Sequence, residues 1–266
     1  MTLVSFAVSP TEFVLAAAIA ATIALVAHRR HLLDRGGTVA ATILGPSLVA
    51  TGGWWLGTIL LAFFLSSALL PDSGSGAPSR AWHQVAANGG PALALATIGL
   101  AGFEGRLLVA AASTIAATTS DTWATEIGRA IGGTPRSIRT GARVPPGTSG
   151  AVSAAGTIAS VAGAMFVAIL AVILSPIAPM SSLVTPEQAV IIGVCGVLGS
   201  SVDTILGATL QARFRCVTCG ARSEDPGDHA PGHGMRRISG MTWMTNSMVN
   251  LVSALASGLV AFLLTG

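Results

Sequence analysis

Eight runs of apolar residues, separated by short polar segments, constrain the fold of this chain more than any other feature. They lie at about 12–28, 37–52, 54–70, 90–103, 106–127, 149–175, 187–211 and 241–265. Only 9% of the residues are charged, whereas a soluble domain carries about a quarter. The pattern predicts an all-α polytopic membrane protein, a single membrane domain over residues 1–266 with a bundle of about seven or eight transmembrane helices.

Several of these runs are shorter than the roughly 20 residues that cross a bilayer as a helix. The runs 37–52 and 90–103 are therefore expected to be tilted, broken or only partly crossing. We expect eight helices, with seven helices or a re-entrant pair as the alternatives. The 32 glycines suit helices that approach closely, and such faces fit a monomer and a homodimer equally well.

The distribution of arginine predicts the orientation. All 14 basic residues are arginine, and the absence of lysine excludes a P-loop, which needs one. If every run crosses the membrane, the loops 29–36, 71–89, 128–148 and 212–240 share one face, which carries every arginine except Arg106. Cytoplasmic loops are enriched in basic residues, so the N-terminus is predicted outside and this face in the cytoplasm of a multi-pass cell-membrane protein.

Three carboxylates lie within apolar segments, where such groups usually mark ion sites, relays or catalytic centres. Asp121 and Glu126 lie near the inner end of one predicted helix, and Asp203 lies in another. Glu126 points about 140° away from Asp121 on an ideal helix, so the two need not bind the same ion. Asp121 and Asp203 can converge on one Mg²⁺, which takes one or two carboxylates plus substrate phosphates. The alternative is that these acids only bond to Ser or Thr between packed helices.

The Arg/Gly loop at 128–150 predicts a phosphate or nucleotide site. Arginine binds phosphate oxygens through paired hydrogen bonds, and the loop contains Arg129, Arg136, Arg139 and Arg143. Free N–H groups at a helix start also favour an anion, and the segment expected to open the next helix is Gly147, Thr148, Ser149 and Gly150. The alternative is a basic loop that contacts lipid headgroups.

Three asparagines are further candidates for the binding site. Asn88 is expected to begin a short helix, and Asn246 and Asn250 share a face of the last helix. Asparagine inside lipid also joins helices to one another, so a binding role and a packing role both remain open.

The CxxC loop at 212–240 carries a possible structural zinc site. Cys216 and Cys219 are followed by His229 and His233, which gives C-x₂-C and then H-x₃-H. This is the ligand spacing of a closed zinc site, and four protein ligands would leave no open position for catalysis. The alternative is that these side chains bind no metal.

Taken in order, these motifs resemble an integral membrane family that includes the phytyl-phosphate kinase of vitamin E biosynthesis. The resemblance rests on the motifs DTWATEIG, PRSIRTG and VPPGTSG within residues 120–150. It also rests on NGG at 88–90, the segment 199–211, CxxCG at 216–220 and the pair Asn246 and Asn250. It implies transfer of the terminal phosphate of a nucleotide to an isoprenoid monophosphate such as phytyl phosphate. CTP is implied as the donor by similarity to polyprenol kinases. His229 and His233 depart from the family pattern in the cysteine loop.

The motifs suit this chemistry because phosphoryl transfer mainly requires positioning and charge neutralisation. Asp121 and Asp203 are expected to hold Mg²⁺, with Glu126 as a further ligand or orienting group, while the loop arginines neutralise phosphates and the 147–150 amides cradle one of them. The expected partners are a nucleoside triphosphate, an isoprenoid phosphate lipid and the bilayer, with no nucleic acid.

Three other functions remain open. A polyprenol kinase would act on the free alcohol, with Asp121 or Glu126 as the base. A CDP-lipid synthase would use the same parts and release pyrophosphate. Short paired helices and midspan acids are also features of transporters, although here the acids lie toward the arginine-bearing face.

Overall fold

The computed structural model describes residues 8–70, 79–101, 104–179, 183–224 and 234–266. Within these ranges the helices are α1 (Pro10–Arg29), α2 (Arg35–Ala68), α3 (Trp82–Gly99), α4 (Glu104–Ile131), α5 (Ala154–Ile173), α6 (Pro186–Thr209) and α7 (Asn246–Leu264), with a 3₁₀ turn at Ser175–Ile177. Short strands follow α4 and α6: β1 (Arg136–Ser137), β2 (Ala151–Val152), β3 (Arg213–Cys216), β4 (Arg222–Ser223) and β5 (Met235–Ser239). The mostly helical architecture confirms the predicted all-α class.

Helix α2 is a hairpin rather than a straight rod. Gly53 interrupts it with a φ of 67°, which glycine adopts readily. A Cβ on Gly57 would lie 3.8 Å from the Cα of Val49, whereas eight residues of straight helix span about 12 Å. The two arms, 35–52 and 54–68, are the separate apolar runs of the sequence. With both arms counted, the described ranges contain eight helical segments.

Five helices in the described part of the chain, α1, α2, α5, α6 and α7, are long and apolar enough to cross a membrane. Helix α4 is more polar, but it lies at the centre of the bundle and packs against α2, α3, α5, α6 and α7. Residues 107–120 of α4 are all buried. Its polar side chains therefore face other helices instead of lipid, which is where a membrane protein tolerates them.

The arginine-bearing segments meet at one end of the bundle, which we call the arginine face (29–35, 79–81, 128–153, 210–224 and 234–245). The backbone N–H of Arg80 donates to Leu32 O at 3.0 Å, and Arg213 donates to Ser149 O at 2.8 Å. Arg106 lies at the opposite end, where it donates to Phe262 O at 2.9 Å. The structure thus groups the arginines as the loop pattern predicts.

Helix α3 begins at Trp82, eight residues before the predicted start of its apolar run. Its first turn is capped by Gln84, whose Oε1 accepts from the Ala81 backbone N–H at 2.9 Å. Asn88 consequently lies inside α3 and does not begin it. The sequence-based boundary is wrong here because the first two turns of α3, residues 82–89, mix polar with apolar residues and do not form an apolar run.

The expectation that 147–150 opens a helix is also wrong. Gly147 and Gly150 have φ values of 80° and 70°, which interrupt a right-handed helix. The chain turns there and enters β2, which pairs with β1. Helix α5 starts only at Ala154, where the Oγ of Ser153 accepts from Gly156 N at 3.1 Å.

The CxxC segment is folded into a small sheet with the strand order β4-β3-β5. Both pairings are antiparallel, and β3 lies in the centre. Gly240 follows β5 with a φ of 77°. The sheet belongs to the arginine face, because β3 continues directly from the end of α6.

Candidate functional site

A polar cavity of about 770 Å³ opens at the arginine face. Its walls come from α3, α4, α6, the start of α7 and the turn at 147–150. The predicted site residues that line it are Asn88, Asp121, Glu126, Arg129, Gly147, Thr148, Ser149, Gly150, Asp203, Asn246 and Asn250. Residues spread over more than 160 positions of the sequence thus surround one space.

The carboxyl groups of Asp121 (α4) and Asp203 (α6) lie beside each other in this cavity. Small residues allow the two helices to approach: a Cβ on Gly196 would lie 3.1 Å from the backbone of Ala116. Two carboxyl groups in contact repel when both are ionised, and a shared proton or a cation relieves this repulsion. The predicted convergence of the two acids is therefore present in the structure.

The Asp203 carboxylate also contacts α7. Ser253 Oγ donates to Asp203 Oδ2 at 3.3 Å. With its amide nitrogen oriented toward the acid, Asn250 donates to the same oxygen at 3.0 Å. In this orientation the Asn250 amide oxygen accepts from the Asn88 side-chain amide at 3.2 Å. These bonds orient the carboxylate and join α3, α6 and α7 around it.

Glu126 and Arg129 lie about one and two turns beyond Asp121 and form an ion pair at 3.8 Å. At 3.8 Å the two groups are farther apart than a hydrogen bond, so this ion pair leaves N–H donors of Arg129 for a ligand. A Cβ on Gly147 would lie 3.1 Å from Arg129 Nε. Glycine at 147 therefore gives the arginine room beside the turn.

The other three loop arginines do not line the cavity. Arg136, Arg139 and Arg143 are exposed, and Arg136 Nη1 donates to Gly141 O at 2.9 Å within its own turn. Pairing of β1 with β2 holds this turn outside the cavity. The predicted clamp of four arginines is thus not assembled in this structure, and only Arg129 reaches the site.

The turn at 147–150 packs against the end of α6. A Cβ on Gly150 would lie 2.5 Å from the Cα of Ala208, a contact that real side chains do not make. Arg213 donates to Ser149 O at 2.8 Å and to Gly207 O at 2.7 Å, which ties the turn to that helix. Ser149 Oγ also donates to a carboxylate oxygen of Glu224.

Three residues that sequence reasoning did not select also line the cavity: Arg80, Gln211 and Glu224. Burial lowers the pKa of the Arg80 guanidinium, and the Glu126 carboxylate opposes this shift. Glu224 acts electrostatically on both Asp121 and Asp203. Gln211 donates to Asn246 Oδ1 at 3.4 Å. Arg80 and Glu224 lie in polar loops without a periodic pattern, so in the sequence only their charge distinguishes them.

The acids in the cavity are suited to a cation whose remaining ligands come from a bound substrate. Within the described ranges, no group of three or more His, Cys, Asp or Glu side chains is arranged to hold a metal ion. The Asp121 and Asp203 pair provides two carboxylates, which is the protein share typical of Mg²⁺ bound together with substrate phosphates.

The cysteine turn has a geometry that favours thiolates. The backbone N–H groups of Thr218 and Cys219 lie 3.3 and 3.4 Å from Cys216 Sγ, and Gly220 follows with a φ of 74°. Two N–H donors stabilise a ligating sulfur. His229 and His233 lie outside the described residues, so the zinc site stays a prediction.

The fold and the cavity define a class: a polytopic α-helical membrane protein with a polar, carboxylate-bearing cavity at its arginine face. The chain belongs to the family described as integral membrane protein DUF92, whose sequence profile matches residues 18–258.

The chain is similar to membrane and chloroplast proteins from a plant and an archaeon, as the names of its relatives and their organisms show. Protein PGR of Arabidopsis thaliana is 31% identical over 278 residues, covering 92% of this chain and 93% of the relative. The uncharacterized membrane protein MJ0933 of Methanocaldococcus jannaschii is 28% identical, covering 72% of this chain and 80% of the relative. Protein VTE6, chloroplastic, of Arabidopsis thaliana is 27% identical, covering 65% of this chain and 42% of the relative. No solved structure matches the chain.

Proposed function

We propose that this protein is a phosphotransferase that moves the terminal phosphate of CTP to an isoprenoid monophosphate, such as phytyl or geranylgeranyl phosphate. The product is the isoprenoid diphosphate. The observation that carries the proposal is the contact between Asp121 and Asp203 inside a polar cavity that also holds Arg80 and Arg129. The similarity to Protein VTE6 and the sequence resemblance to the phytyl-phosphate kinase family support it.

The reaction needs little covalent chemistry from the protein. An oxygen of the acceptor monophosphate attacks the terminal phosphorus of the nucleotide, the bond from that phosphorus to its bridging oxygen breaks, and CDP leaves. Because the acceptor oxygen is already anionic, no strong general base is required. The protein must instead align two highly charged phosphates and neutralise their repulsion.

The cavity residues divide this work. Asp121 and Asp203 would hold Mg²⁺, which supplies positive charge to the phosphate oxygens when it is bound. Arg80 and Arg129 provide guanidinium donors that match phosphate oxygens. The turn at 147–150 contributes a concave stretch of backbone with two residues of positive φ, a type of geometry that binds anions.

The arginine face is proposed to lie in the cytoplasm. Basic residues concentrate on cytoplasmic loops, and the cavity opens among the arginine-bearing segments. A cytoplasmic opening would give the site direct access to soluble nucleotide while the acceptor approaches from the bilayer.

The direct test combines detergent-purified protein, Mg²⁺, γ-labelled CTP or ATP, and geranylgeranyl or phytyl monophosphate. We expect label in an isoprenoid diphosphate, with CTP as the better donor. Mass analysis of the product separates this reaction from phosphorylation of an alcohol and from CDP-lipid formation. Folded protein that labels no lipid monophosphate of any tail length would contradict the proposal.

A further inference from the structure

A second, apolar space lies between α1, the two arms of α2 and α3; it is a groove that encloses about 150 Å³ and is partly open at the surface of the bundle. Its walls include Ile19, Ile23, Leu44, Leu60 and Phe64. Arg80 and Asn88 line this groove and also line the polar cavity. The two spaces therefore adjoin at these side chains, one apolar and the other charged.

The groove runs along the helices, away from the arginine face. Leu33, which pairs with Arg80, marks one end. Trp54 lines the other end, where its Nε1 donates to Glu12 Oε1 at 3.3 Å near the start of α1. Phe64 and Trp54 are ten residues apart on one α2 arm, which corresponds to about 15 Å of helix. The groove thus lies roughly parallel to the lipid chains.

Small residues line the middle of the groove, where its helices pack closely. Gly45 faces α1, where a Cβ on it would lie 3.0 Å from Ala20 Cβ. Gly89 faces α2, where a Cβ would lie 3.5 Å from Leu60 Cδ1. Both glycines and Ala20 line the groove. Any larger side chain at these positions would project into the space or push the helices apart.

We infer that this groove binds the isoprenoid tail of the acceptor and limits its length, with Arg80 holding the acceptor phosphate at the junction and Trp54 closing the far end. This inference rests on the proposed function and assigns its lipid subsite. An apolar channel that ends at a guanidinium and opens into a cation-binding cavity matches one kind of ligand, an anionic head with a long apolar tail. A nucleotide base or a free phosphate would leave the apolar walls unmatched.

A chain-length comparison tests this assignment. Geranyl, farnesyl and geranylgeranyl monophosphate are offered to the unsubstituted protein and to Ala20→Phe, which places an aromatic ring across the groove. We expect the kcat/KM for geranylgeranyl phosphate, relative to that for geranyl phosphate, to fall roughly tenfold or more. The matched control is Ala18→Phe, on the same helix but exposed, where the ratio should stay unchanged. An equal loss with all acceptors, or no change, would overturn the inference.

Photocrosslinking of the unsubstituted protein gives a readout that does not need turnover. A geranylgeranyl phosphate analogue with a diazirine at the end of its tail should label peptides from α1 or α2 around Trp54, and unlabelled geranylgeranyl phosphate should compete. Labelling there without phosphoryl transfer would refute the kinase and retain the groove. Transfer with labelling confined to other helices would refute the groove and retain the kinase.

Discussion

The carboxyl groups of Asp121 and Asp203, 82 positions apart in the sequence, lie beside each other between α4 and α6. Neither acid has a cationic partner at ion-pair distance among the described residues. Asp203 instead receives hydrogen bonds from Ser253 and from the amide of Asn250. Two adjacent carboxylates without a cationic partner repel each other, and a bound cation would relieve this repulsion.

Replacing either acid should abolish transfer without unfolding the protein. Asp121→Asn and Asp203→Asn each remove a Mg²⁺ ligand and should lower kcat at least about a hundredfold, because a metal supplies several kcal/mol of charge stabilisation. The substitutions also remove repulsion within the pair, so melting temperature in detergent should not fall. Glu187→Gln, at the exposed opposite end of α6, is the matched control. Full activity in either Asp variant would remove that acid from the mechanism.

Metal removal should act on the same site. EDTA is expected to stop transfer, and added Mg²⁺ should restore it, because two carboxylates hold the ion only together with nucleotide phosphates. Consequently, Mg²⁺ should bind measurably in calorimetry only when nucleotide is present. Transfer that persists after exhaustive chelation would argue against a metal at the Asp121 and Asp203 pair.

The arginines of the 128–150 loop should differ in importance according to their position. Arg129 lines the cavity and Arg139 is exposed outside it. Arg129→Ala should lower kcat/KM for the nucleotide by about tenfold to a hundredfold, the value of a charge-assisted hydrogen bond or two. Arg139→Ala should stay within about twofold of the unsubstituted protein. Equal losses in both variants would instead support the clamp that the sequence pattern predicts.

Gly150 should be irreplaceable for steric reasons. Gly150→Ala places a Cβ against the backbone of Ala208, in addition to the strain of a positive φ. Gly133→Ala is the matched control, because Gly133 has a φ of 64° with nothing within 4 Å of its Cβ position. We expect the control to lose about 1 kcal/mol of stability from backbone strain alone, and Gly150→Ala to lose clearly more and to inactivate the protein. Similar melting temperatures would show that the turn can move away from α6.

The cysteine turn should carry zinc in the purified protein. We expect about one zinc per chain by elemental analysis, the stoichiometry of a closed four-ligand site, with loss of the metal in Cys216→Ser and Cys219→Ser. Cys195→Ala, in α6 and away from the sheet, should retain it. His229→Ala and His233→Ala test whether the two histidines complete the site. Protein that contains no zinc when purified without chelator would contradict the prediction.

Local features of the sequence were sufficient for most of the helices. Apolarity located α1, both arms of α2 and α4 to α7, because a segment that crosses lipid must be apolar wherever it does not face protein. The same criterion missed the polar beginning of α3. It also placed a helix start at 147–150, where two glycines with positive φ form a turn.

The sequence by itself determined which residues carry unusual chemistry: acids inside apolar helices and arginines grouped at one face. Only the tertiary structure decided which of them meet. Asp121 reaches Asp203 because Gly196 lets α6 pack closely against α4, whereas β1 and β2 hold Arg136 and its neighbours outside the cavity. Arg80 and Glu224 enter the site from segments with no periodic pattern. Contacts of this kind depend on how distant helices pack, and residue spacing along the chain does not encode them locally.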